Sequence, residues 1–233
     1  MRQCGEREAS VRKIGFRAVF FVLVLAAVGA RADTSGRKEE GKSELPEIRE
    51  YHGMKLSSIN EFRENSIKGP QYIDRDDYRL TISGLVDSTR TYRYDEIVKR
   101  PGQKKVVTLN CVEGWSVTIL WEGVLVRELI EEAGVGPEAN TVILHAHDGY
   151  SSSFPLSYIM DNDIIMAHKM NGLAIPPERG FPFELVAEKK WGYKWVKWIT
   201  GIELSDNEKY KGFWESRGYS NDGDLGKDFF EEP

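Results

Sequence analysis

The run Lys105-Val-Val-Thr-Leu-Asn-Cys-Val-Glu-Gly-Trp115 decides how this chain reads. Residues 105–110 have the branched, extended character of a strand. That strand delivers Cys111 at its end, ahead of Gly114 and Trp115. Only one other cysteine exists, Cys4, and it falls in an N-terminal stretch that reads as removable. A single remaining thiol cannot close an internal disulfide. An unpaired cysteine in an exported protein is a candidate reactive group or metal ligand. Its ordinary alternative is a small, buried apolar side chain.

Short elements surround this strand. Residues 78–86 alternate polar and apolar until Gly84, as a half-buried strand does. Residues 94–99 read as a short helix stopped by Pro101-Gly102. Leu125, Leu129, Ile130 and Ala133 share one face of a helix over 125–133, closed by Gly134. Residues 141–147 form a strand, and Asp148-Gly149 turns the chain into 150–154. A further strand at 163–169 meets the hairpin signal Asn171-Gly172. Residues 183–187 and 195–204 complete the strands. Several short strands with few short helices predict an α+β fold.

The remainder is less regular. Residues 33–50 are charged and polar, and 51–77 fit neither a helix nor a strand period. The expected organisation is therefore a polar lead-in and N-terminal arm over 33–70, one domain over 71–218, and an acidic, loosely packed tail over 219–233.

The N-terminus itself reads as an export signal over residues 1–32. Arg12-Lys13 form its basic region, residues 18–29 its apolar core, and Ala30-Arg-Ala32 its cleavage site. Twelve apolar residues fall short of the roughly 20 that span a bilayer. Expected localisation is periplasmic or extracytoplasmic, with membrane anchoring if the signal is not cleaved. A net charge of −5 argues against a nucleic-acid partner, which favours basic surfaces.

Three groups of residues could carry chemistry. Cys111 is a soft donor suited to sulfur-loving metals, and equally a nucleophile if a histidine activates it. His145 and His147 lie two apart on one strand face, so with Cys111 they offer either a zinc or copper site or an activating base. No CxxC or HExxH spacing supports zinc. Finally, Arg179, Lys189, Lys190, Lys194 and Lys197 crowd near Gly180 and Gly192. Glycines admit a ligand close to the backbone and lysines supply charge for a phosphate. A solvated charged strand is the plain alternative.

An ordered set of motifs narrows the choice. Asn110-Cys-Val-Glu-Gly-Trp115, Leu120-Trp-Glu-Gly-Val124, Asp148-Gly-Tyr150, Ser153-Phe-Pro-Leu156 and Asn171-Gly172 are followed by Trp191-Gly-Tyr-Lys-Trp-Val-Lys-Trp-Ile199 and Gly212-Phe-Trp-Glu-Ser-Arg-Gly-Tyr219. This set resembles the molybdopterin-binding domain of the sulfite oxidase family, in its small members without haem or dimerisation domains. The resemblance spans about residues 70–220. It implies a mixed, barrel-like sheet, a molybdopterin cofactor and oxygen-atom transfer on a sulfoxide, sulfite-like or related small molecule. Cys111 would be the thiolate on molybdenum. Asn65, Asn171, Arg179, Gly192, Lys194 and Lys197 would contact the cofactor, while His147 and Tyr150 would stand near the metal. Electrons would come from a separate protein, for which the family's usual solution is a membrane haem subunit.

The chain also departs from that pattern. Members often read Gly-x-Pro-x-Arg, with the arginine on phosphate, but Gly180-Phe-Pro-Phe-Glu184 places a carboxylate there. No equivalent is visible of the arginines that hold sulfite, which argues against that anion as substrate. The Arg-Arg pair of folded export is absent. A cofactor- or anion-binding module without catalysis, and a cofactor-free thiol enzyme, therefore remain the alternatives.

Overall fold

The computed structural model describes residues 46–231, so the export signal, the first part of the lead-in and Cys4 lie outside the described residues. The elements run β1 (Glu50–Tyr51), β2 (Met54–Lys55), β3 (Arg79–Gly84), β4 (Arg90–Arg93), α1 (Tyr94–Val98), β5 (Gln103–Asn110), β6 (Ser116–Leu125), α2 (Val126–Ala133), β7 (Thr141–Ala146), β8 (Ser151–Pro155), α3 (Leu156–Asp161), β9 (Ile165–Met170), β10 (Leu173–Ala174), β11 (Glu184–Leu185) and β12 (Ile199–Ser205).

Two five-stranded sheets form the body, ordered β10-β9-β6-β5, with β11 also on β9, and β4-β3-β12-β7-β8. Pairing is antiparallel except between β12 and β3. The α+β class holds. The barrel-like expectation is corrected, because the described strands make two open sheets rather than one closed ring.

β5 and β6 pair from Gln103↔Gly123 to Asn110↔Ser116, which fixes the turn that carries Cys111. The ten-residue β6 has no counterpart among the sequence expectations. As the strand between β5 and β9 it is buried on both faces through Ile119, Leu120 and Trp121, so its alternation disappears. Gly123 sits at its register shift. A Cβ there would lie 2.2 Å from the Met166 carbonyl oxygen, so only glycine lets β6 and β9 approach.

Two expected strands are shorter than their sequence suggests. Only Glu184–Leu185 of 183–187 pairs, and 195–204 becomes a strand only from Ile199. Residues 195–198 leave the sheet, with Trp198 at a φ of 52°, and Trp195, Lys197 and Trp198 line a cavity while Val196 stays in the core.

The C-terminal tail is also corrected. Tyr219 packs against Trp214, Phe229 and Phe230, Lys190 pairs with Asp224 at 2.6 Å, and Trp191 meets Phe229. Aromatic contacts, with Phe230 still half exposed, hold the tail despite its acidic composition. At the centre of the core, Trp121 stacks at an angle on Trp195 with ring centroids 5.5 Å apart.

Candidate active site

The site starts from a turn. After β5 ends, the Cys111 N–H donates to the Trp115 carbonyl at 2.9 Å and the Gly114 N–H to the Cys111 carbonyl at 3.1 Å. Gly114 has a φ of +82°, a conformation glycine adopts without strain. The turn sets Cys111 at the wall of a cavity of about 380 Å³. Across from it, Gly192 lies against β5. A Cβ at Gly192 would stand 3.2 Å from the Asn110 carbonyl oxygen and 3.4 Å from the Cys111 Cα, so the glycine keeps the floor open.

The arm over residues 62–67 forms the facing wall. Asn65 Nδ2 donates to Cys111 Sγ at 3.7 Å. Arg179 holds the arm by donating from Nε to the Ile59 carbonyl and from Nη2 to the Phe62 carbonyl, both at 3.1 Å. Its guanidinium also covers the Phe62 ring at 5.3 Å. Lys197 Nζ reaches Glu64 at 3.3 Å and lies over the Trp198 ring. Phe62, Trp115, Tyr193, Trp195, Trp214 and Tyr219 give the cavity an aromatic lining.

Burial pushes the Cys111 thiol above its ordinary range, against a smaller opposing pull from the Glu113 backbone N–H, the Asn65 hydrogen bond and the Arg63 charge. Glu184 is fully enclosed, and burial pushes its carboxyl up to about 8 against the charges of Lys197 and Arg179. Its Oε2 has no hydrogen-bond partner. Burial lowers Lys197, which the charge of Glu184 opposes.

The structure sorts the residues singled out in the sequence. Cys111, Asn65, Tyr150, Arg179, Gly192 and Lys197 converge on the cavity. His147 does not. Its side chain is exposed, and the next residue, the buried Asp148, faces inward instead. Alternation along the chain explains the swap. The Tyr150 hydroxyl donates to the Tyr193 carbonyl, while Asp148 Oδ1 accepts the Tyr150 N–H at 2.9 Å.

Two residues expected at the cofactor sit outside the cavity. Asn171 is buried at the β9–β10 turn, where its Oδ1 accepts the Leu120 N–H at 3.0 Å and its Nδ2 donates to Glu47 and to the Ser57 carbonyl. Lys194 is wholly buried and gives its three donors to the Ser153 carbonyl, Glu215 and the Asn221 carbonyl at 2.7–2.9 Å. Neither side chain lines the cavity.

Among the described residues, no three His, Cys, Asp or Glu side chains gather as a metal site. His145 bonds Glu203 at 2.8 Å, and no histidine lines the cavity. The protein-only metal site and the histidine-activated thiol therefore both lack their second partner. The sequence places the Asp148-Gly149-Tyr150 loop near the site without singling out the Asp148 side chain, and it misses the aromatic lining. The Asp148-Gly149 turn and the spacing of Trp115, Trp195 and Trp214 were the available signals.

A soft sulfur, a glycine at the floor, the cations Arg63, Arg179 and Lys197 and an unpartnered buried carboxyl make a site for a cofactor that brings a metal to the sulfur and polar atoms to the rest of the cavity. The family model "Oxidoreductase molybdopterin binding domain" matches residues 67–214. The chain belongs to this family, and its cofactor is molybdopterin. It is 35% identical over 156 residues to the uncharacterized oxidoreductase YuiH of Bacillus subtilis (strain 168), covering 66% of this chain and 78% of that protein. It is 27% identical over 225 residues to the protein-methionine-sulfoxide reductase catalytic subunit MsrP of Campylobacter jejuni, covering 88% of this chain and 74% of that protein. Among solved structures, the sulfane dehydrogenase SoxCD from Paracoccus pantotrophus superposes with a TM-score of 0.59 at 26% identity. That match covers 66% of this chain and 43% of the SoxCD chain, so this chain spans less than half of that protein.

Proposed function

We propose that this chain is the catalytic unit of an exported molybdenum oxidoreductase that transfers an oxygen atom from a small sulfoxide. One observation carries the reading: Cys111 offers its sulfur to a cavity whose described lining brings no histidine to activate it. Cys111 would hold the metal, and Asn65, Arg179, Gly192 and Lys197 the rest of the cofactor. When bound, that cofactor supplies the two-electron redox chemistry that side chains lack.

The chain's own residues bind and orient. Burial keeps the Cys111 thiol protonated in the free protein, so loading the metal releases that proton. The Asn65 amide, donating to the sulfur, tempers its electron donation. Burial raises the Tyr150 hydroxyl far above its ordinary range, and its proton is committed to the Tyr193 carbonyl. Tyr150 is therefore a positioning residue rather than a proton donor. Aromatic walls at Phe62, Trp115 and Trp214 suit a substrate with sulfur beside small apolar groups.

Sulfoxide reduction consumes two electrons and two protons and yields the sulfide and water. A separate electron-transfer protein, with a membrane haem subunit as its natural form, would supply the electrons. Export would follow from the signal over residues 1–32. No helix among the described residues is long and apolar enough to cross a membrane. The names of the methionine-sulfoxide reductase and sulfane dehydrogenase relatives support a sulfur substrate.

Protein from a cofactor-competent host tests the reading through elemental analysis and a reductase assay with sulfoxides and an artificial donor. Stoichiometric molybdenum with turnover is expected. Folded, metal-free protein defeats the reading, and bound metal without turnover on any sulfoxide or N-oxide favours a binding module.

A further inference from the structure

Among the cavity groups that the proposed function leaves without a task, Glu184 is the carboxyl with a buried, unpartnered oxygen. Its side chain sits on β11, which pairs with β9 through Glu184↔Ala167, and the residue is 2% exposed. Oε2 is buried with no hydrogen-bond partner, and no basic nitrogen of the described residues lies within ion-pair distance of the carboxyl group. An ionised carboxylate buried without donors costs several kcal/mol, whereas a carboxylic acid in the same place is neutral. The group facing the cavity is therefore an acid with an unused O–H donor, and what it lacks is an acceptor.

Its surroundings supply none. Lys197 and Arg179 are the charges that act on it, and both are donors. Glu64 is already bonded to Lys197, and Glu178 acts on Arg179 from the same side. On β9, His168 packs edge-on against Phe183, the residue before Glu184. Gly180 makes the close packing possible: a Cβ there would stand 3.1 Å from the Lys197 Cβ and 3.4 Å from the Glu184 Cβ. Oε2 is closed off from solvent, so the missing acceptor has to meet the carboxyl group at its other oxygen, on the side that lines the cavity.

We propose that Glu184 recognises the bound cofactor as a neutral acid, donating its proton in a hydrogen bond to a phosphate or pterin acceptor atom beside Lys197. The inference rests on the reading of the cavity as a molybdopterin site. It assigns the carboxyl group a role opposite to the one its charge at neutral pH suggests, since an ionised glutamate would repel the anion that Lys197 attracts. Burial, which pushes the group up to about 8, keeps the proton in place across the neutral range.

The test uses holoprotein loaded in a cofactor-competent host, with molybdenum and pterin content followed during dialysis from pH 6 to pH 9.5. For wild type, cofactor release should be flat at low pH and then accelerate roughly tenfold per pH unit above the acid's titration, as one required proton dictates. Glu184→Gln keeps an N–H donor but cannot titrate, so its release should stay slow and flat. Glu184→Leu, of similar bulk, should release the cofactor at least about tenfold faster at every pH, the equivalent of one lost hydrogen bond to a charged group. Identical pH profiles for wild type and Glu184→Gln overturn the inference, as does full retention by Glu184→Leu. A folded wild type that never carries molybdenum or pterin overturns this inference and the functional reading together. Loaded wild type whose variants merely track it overturns this inference alone.

Discussion

Lys194 and Lys197 stand three residues apart in one motif, yet their environments differ in kind. Lys194 is shut away behind the cavity, with all three donors used by Ser153, Glu215 and Asn221, and Glu215 is equally buried. Lys197 opens onto the cavity, with a single long contact to Glu64 and an enclosed but unbonded acid nearby. The first arrangement uses every donor of its lysine without a ligand, although Glu215 Oε2 stays unpartnered, and it ties the C-terminal segment to β8. The second is incomplete, which is what a binding site looks like before its ligand supplies the remaining partners.

The contrast can be broken most forcefully at Lys194. Lys194→Met leaves Glu215 as an uncompensated buried charge and should cost about 3–5 kcal/mol in urea unfolding. A double variant, Lys194→Met with Glu215→Leu, should recover most of that loss, because a buried pair replaced by apolar side chains is close to neutral. No recovery would mean that the pair does more than hold the tail.

Glu184 gives the next largest effect, and its sign is definite. Its carboxyl is raised from the ordinary value near 4.5 to about 8 in the folded protein, so the folded state binds the extra proton in that window. Wild-type stability should therefore fall as pH rises from about 4.5 to about 8. Glu184→Gln should remove that contribution, so the variant's Tm should overtake wild type on going from pH 5 to pH 8.5. A parallel pH dependence of the two Tm values contradicts the assignment.

Lys197→Met sharpens the comparison from the other side. Urea stability should change by less than about 1 kcal/mol, as for partly exposed ion pairs. Cofactor content should drop about tenfold or more, from the loss of one charge-assisted bond. Lys194→Met at a temperature where it stays folded should retain its cofactor better than Lys197→Met. Smallest of all is His147→Ala. An exposed side chain outside the cavity should leave molybdenum content unchanged and stability within about 0.5 kcal/mol.

The sequence made β3, β5, α2, β7 and the Asn171-Gly172 turn legible because alternation, helical spacing and turn chemistry agree there. It hid β6, whose burial on both faces erases the alternation, and α3, which lacks the Pro-Gly stop that marks the still shorter α1. At the site, Cys111 could be read from the motif over 110–115, and Gly192 and Lys197 from the motif over 191–199. Lys194 in the same motif could not be separated from Lys197, because the difference lies in Glu215, 21 residues further on. His147 was favoured over Asp148 for its chemistry, and only the direction of each side chain decides between them. Glu184 looked like a defect in a phosphate-binding pattern, and its enclosure is invisible until β11 is laid on β9.

The most direct measurement compares Cys111→Ser with wild type, both produced with cofactor available, in molybdenum content and visible absorption. If the Cys111 sulfur holds the metal, the variant loses the thiolate-to-metal charge-transfer band together with sulfoxide turnover, while its far-UV spectrum and cavity-independent stability persist. An unchanged visible spectrum and undiminished turnover in the serine variant would contradict the account at its root.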